Sequence, residues 1–250
     1  MRFGSFDWGA LVCSVVLVAC VEPGESGGGG GQDDGAGGAG GQMAPTTSTS
    51  EDATSGTGSP EPRACDGFAT EVVDVTYGPG AGFGQDQMPG IVLGPPVGGG
   101  ELMGALDVVT LGNGGSITLA FAGAIEDGEG PDFIVFENVF FVGGDPAMPW
   151  AEIASVEVST DGETWETFPC TATAAPYDGC AGWSPTHAGS DESIDPHDPA
   201  QAGGEAFDLA DVGLTEARFV RVVDRADLAG FSGTFDLDAV ALVHWACDAP

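Results

Sequence analysis

The run from Gly130 to Phe141, Gly-Pro-Asp-Phe-Ile-Val-Phe-Glu-Asn-Val-Phe-Phe, constrains this fold more than any other stretch. Seven of its twelve residues are aromatic or β-branched. Apolar and polar residues do not alternate within it, so it reads as a strand covered on both faces and running through a core. Its polar groups, Asp132, Glu137 and Asn138, stand towards its two ends. A buried acid is costly unless it is paired, hydrogen-bonded or bound to a metal. The rest of the chain must supply those partners.

Other strand candidates follow at short spacing: 71–77, 91–93, 106–111, 116–121, 152–159, 164–168, 217–224 and 235–244. Ile117, Leu119 and Phe121 alternate with smaller or polar residues, as in a half-buried strand. Asp161-Gly162 lies between two strand runs and signals a hairpin. No stretch keeps a helical period, and Gly and Pro punctuate nearly every gap. The pattern predicts an all-β domain over 64–250, an antiparallel jelly-roll β-sandwich.

Before it come two segments of another kind. Residues 1–20 read as a signal peptide with a short apolar run from Ala10 to Ala19, too short to span a bilayer. It ends Leu17-Val18-Ala19-Cys20, which resembles the lipobox of bacterial lipoproteins and implies a lipidated Cys20 on the outer membrane or cell surface. Residues 21–63 are rich in Gly, Ser and Thr and read as a disordered linker that holds the folded head away from its anchor.

Charge narrows the function classes. Thirty-nine acids face five arginines and no lysine, a formal charge of −34. Phosphate-loop, Schiff-base and Ser-Lys chemistry are excluded for want of a lysine. Nucleic acid is an unfavourable partner, since binding it needs a basic patch. Of six cysteines, Cys65, Cys170, Cys180 and Cys247 belong to the folded part. Nested pairing, Cys65–Cys247 and Cys170–Cys180, is the simplest arrangement; other pairings fit the spacing too.

Val156-Glu-Val-Ser-Thr-Asp-Gly-Glu-Thr-Trp165, a later Ala217-Arg-Phe-Val-Arg221 and the bracketing cysteines resemble discoidin-type, galactose-binding-like β-sandwiches. Phe235-Asp-Leu-Asp-Ala-Val240 is similar to the closing strand of calcium-bearing carbohydrate-binding jelly rolls. The longer run from Gly82-Phe-Gly-Gln-Asp-Gln through Phe-Glu-Asn to Ala-Phe-Asp-Leu-Ala-Asp-Val-Gly resembles a family of bacterial cell-surface lipoproteins. The resemblance implies a sandwich that binds carbohydrate. It also implies structural calcium, held by a loop near the first strands and an acid on the last one. The long acidic insertion from Gly189 to Asp211 has no counterpart in that resemblance.

Three sets of site residues result. Asp132, Glu137, Asn138, Asp236 and Asp238 form a candidate Ca2+ set, against the alternative that they accept backbone hydrogen bonds. Trp150, Tyr177 and Trp183 are candidate sugar platforms, against the alternative that they pack in the core. The seven acids of the 189–211 insertion read either as a cation loop or as a solvated one. The expected function is a non-catalytic, lipid-anchored surface protein that recognises glycan or another extracellular polymer. An envelope protein binding a protein partner, or a metal-dependent hydrolase using His187 and His197, are the alternatives.

Overall fold

The computed structural model describes residues 65–228 and 233–248, all within one compact unit, Thr57–Pro250. The signal segment with Cys20 and the 21–63 linker lie outside the described residues. The domain is all-β, two antiparallel sheets packed face to face, with a few short 3-10 turns as its only helical structure among those residues.

One sheet contains β1 (Ala69–Thr76), β3 (Ser116–Glu126), β10 (Glu216–Asp224), β7 (Ala154–Ser159) and β8 (Glu166–Thr167) in that spatial order, with β12 (Trp245–Cys247) also on β3. The facing sheet runs β2 (Val109–Thr110), β11 (Asp236–Leu242), β4 (Phe133–Glu137), β9 (Glu205–Phe207). A small ribbon of β5 (Phe140–Phe141) and β6 (Pro149–Trp150) projects from the end of β4.

β4 is the predicted central strand, buried along its whole length. Phe133 and Val135 face the core between the sheets, with Ile117, Leu119, Val156, Val220 and Leu237. Ile134 and Phe136 face outward into a second cluster with Ala188, Ala202, Ala239 and Ala241. The acidic insertion supplies Ala202 to that cluster, with Ile194 packed against it, so the segment roofs the outer face of the sheet. Its aspartates cap their own turns: Asp191 accepts from Ser193 N, Asp195 from His197 N, Asp198 from Ala200 N and Asp208 from Ala210 N. That is the backbone-bonding role open to Asp in any loop.

β3 continues five residues past its predicted end because two strands share it. β1 pairs with its first half and β12 with Gly123, Ala124 and Ile125. A Cβ on Gly123 would lie 2.1 Å from the Ala246 carbonyl oxygen, so the small residue is what lets β12 approach. The 91–93 strand is not formed; Gly90–Val92 is a 3-10 turn that inserts Val92 into the core. A three-residue apolar run between two glycines has no periodicity to separate strand from buried turn. Both nested disulfides, Cys65–Cys247 and Cys170–Cys180, form. The Asp161-Gly162 turn joins β7 to β8, with Gly162 at φ 76° and the Asp161 carboxylate accepting from Glu163 N and Thr164 N.

Candidate functional site

Strand β4 alternates, so Glu137 follows Phe133 and Val135 onto the inner face. It ends that row at the mouth of the sandwich, fully buried. Asp236 opens the neighbouring β11, where its carboxylate accepts from Thr110 Oγ1 at 2.5 Å across the β2 pairing. Glu152 enters from the segment between β6 and β7, buried to 6 % exposure. Carboxylate oxygens of Glu137, Glu152 and Asp236 lie within 4.8 Å of one another. Neither Glu137 oxygen has a hydrogen-bond donor, nor does the buried Oδ1 of Asn138. Glu137 and Glu152 face each other in a geometry that bonds only when one of them is protonated.

The surroundings are tight and, among the described residues, contain no protein cation. A Cβ on Gly233 would sit 1.8 Å from Glu152 Oε1, and one on Gly104 would sit 2.4 Å from Asn138 Oδ1. Every described arginine is engaged elsewhere: Arg218 with Asp248, Arg221 with Glu157, Arg225 with Asp227. The histidines are dispersed as well. His187 lies near Glu101, His197 bonds the Leu242 carbonyl and His244 bonds Asp132. Burial, then the charge of Glu152, pushes the Glu137 carboxyl well above the ordinary carboxylate range. Burial raises Glu152 to about 7, and Asp236 is raised for the same reason.

Of the five acids and amides expected around an ion, the fold brings Glu137, Asn138 and Asp236 together and diverts two. Asp132, at the other end of β4, accepts from Gly128 N, Leu209 N and His244 Nδ1 at 2.8–2.9 Å. Asp238 sits where β11 slips register against β4, and both its oxygens take the Val97 N–H. These two carboxylates hold loops in place. Glu152, absent from the expected set, is the residue that completes the trio. Its position at the head of a strand candidate gave no sign that it would turn inward. The loop near the first strands contributes nothing to the cluster; its Asp86 is exposed.

Above the trio stands Trp150. Its indole approaches Glu152, its ring stacks on Phe140 at 6.3 Å with planes 18° apart, and it is 44 % exposed. The loop at 97–106 runs alongside, tied by Phe141 N–H to the Glu101 carbonyl, and with the 140–150 ribbon it leaves Leu102, Met103, Leu106, Val142 and Met148 exposed.

The other two aromatics lie on the disulfide-clipped loop. Tyr177 is buried at 7 % exposure in a small cluster with Ile153 and Cys180, so it does not present a flat exposed ring. Burial raises its phenol above the usual value. Trp183 packs on it at 5.1 Å and is half-buried, beside a cleft of about 290 Å³ lined also by Ser184 and Glu205.

No family model and no curated protein matches the chain. Among solved structures it is similar to the CBM32 of AlyQ in complex with 4,5-unsaturated mannuronic acid, at 15 % identity over 70 % of this chain and 96 % of that one, TM-score 0.31. Truncated AlyQ with CBM32 and alginate lyase domains gives 16 % identity over 73 % of this chain and 34 % of that one, TM-score 0.33. The C-terminal domain of a chitobiase from Bacteroides fragilis gives 12 % over 54 % and 65 %, TM-score 0.29. At these values the likeness carries no argument about function, which rests on the geometry of the site itself.

Proposed function

We propose that this chain is a non-catalytic, lipid-anchored surface protein whose β-sandwich head binds glycan through the end that carries Trp150. The observation that carries this reading is the indole itself: half-exposed, backed by Phe140 and set beside the buried Glu152. A rigid, flat, partly exposed ring is what the apolar face of a sugar stacks upon, and fixing it in advance lowers the entropy lost on binding. Burial of Glu137 and Glu152 speaks against hydrolysis, because neither carboxyl reaches a glycosidic bond outside the domain. The lipobox-like Leu17–Cys20 supports anchoring, and the 21–63 linker supports a head presented at the cell surface or outer membrane.

Retention on immobilised polysaccharides, read across a glycan panel, tests the reading. Trp150→Ala is expected to lose retention at least about tenfold, the scale of one stacked aromatic, with unfolding temperature little changed. Unchanged retention in that variant would remove the proposed platform. The exposed Leu102, Met103, Leu106, Val142 and Met148 on the same rim favour a second reading, a protein partner at the envelope. Binding that survives Trp150→Ala and fails in Leu102→Ser with Leu106→Ser would favour that partner over a sugar.

A further inference from the structure

We infer that Glu137, Glu152 and Asp236 form a binding site for a divalent cation of the calcium class beneath the Trp150 rim. The trio alone would be only a group of neighbouring acids. What points to a ligand is Glu137, which is wholly enclosed and has no donor in good hydrogen-bond geometry to either oxygen unless a proton is shared with Glu152. A second buried oxygen, Oδ1 of Asn138, is likewise without a donor at the next position. Buried polar groups are normally satisfied, and an orphaned carboxylate calls for a partner such as an ion.

The chemistry of the donors selects the ion. All are oxygens, with no His or Cys, which suits a hard cation and not zinc or copper. They come from three places in the chain: the end of β4, the start of β11 and the segment following β6. A cation there would join the two edges of the mouth. Asp236 is already oriented by Thr110 Oγ1. Such supporting bonds aim ligands at a centre. The acid trio at Asp127, Asp132 and Asp208 lacks this property, because Asp132 is satisfied by Gly128, Leu209 and His244. The inference does not depend on what the Trp150 face binds.

Terbium, an oxygen-seeking stand-in for calcium that emits when a nearby indole is excited, gives the test. The full head should show indole-sensitised terbium emission that calcium displaces, and its unfolding temperature should rise in calcium over chelator. Glu137→Gln and Asp236→Asn keep shape while removing charge, so both should fold. Their calcium affinity should fall at least about tenfold, as metal sites do when supporting groups are lost. Trp150→Phe should lose the sensitised emission while keeping the calcium-induced rise in unfolding temperature, whereas Asp208→Asn should change neither. Absence of any calcium-dependent shift together with absence of sensitised emission would overturn the site. So would a calcium effect that survives in Glu137→Gln and disappears in Asp208→Asn.

Discussion

In the four-stranded sheet Glu137 is fully buried and Glu205 half-buried, and their surroundings differ completely. Glu205 accepts from the backbone N–H groups of Gly182, Trp183 and Ser184, pinning the loop after Cys180. Burial nevertheless outweighs those three donors and raises its carboxyl from 4.5 to about 7. The sign follows from proton counting. As pH rises from about 4.5 to 7, the unfolded chain releases this proton while the folded chain keeps it, so stability falls across that window. The loss is about 3 kcal/mol for a shift of this size. Glu205→Gln cannot titrate, so its stability should gain on wild type by that amount between the two ends of the window, as read by urea unfolding. A difference that stays constant with pH would refute it. Gln offers one acceptor oxygen in place of two, so some loosening of Gly182 is expected at acid pH, where both forms are uncharged.

At the scale of elements, β4 holds the domain together because both its faces are covered. Phe133 stacks on Phe207 at 5.3 Å and meets Phe168 edge-on at 5.8 Å, joining β4, β9 and the end of β8. Phe133→Ala would leave a void that neither of these two rings can collapse into fully. It should cost about 3–5 kcal/mol, measured by denaturant midpoint at constant slope. The register of this strand also explains the site: one residue of slip would exchange Glu137 with the outward row of Ile134 and Phe136. That β4 is a buried strand was legible from its aromatic and β-branched run. Which of its acids would be satisfied was not, because the donors to Asp132 come from Gly128, Leu209 and His244, as far as 112 residues away.

For the molecule as a whole, the two disulfides act on very different lengths of chain. Cys65–Cys247 closes 182 residues and Cys170–Cys180 closes 10. In the loop-entropy model they contribute about 5 and about 3 kcal/mol. Replacing each pair by serine should therefore destabilise the head more for the terminal bridge, a ranking that chemical denaturation of the two variants would check. An equal or reversed ranking would show that local packing around Tyr177 and Trp183, not chain closure, dominates. The terminal bridge also ties β12 to the residue that precedes the first paired strands, so its loss should free the edge of the larger sheet first.

The sequence alone determined the class of fold, because β-branched runs, the Asp161-Gly162 turn and glycine punctuation act over a few residues. It also determined the excess of acid over base, and with it the absence of lysine chemistry. Tertiary structure decided everything that depends on convergence. Glu152, in the segment after β6, meets Glu137 and Asp236 only in the folded chain, and Asp238 left that group because β11 slips register there. Tyr177 became core and Trp150 stayed at the surface for the same reason: which side of a loop faces the packed sheets is set by contacts distant in sequence, and no local pattern encodes it.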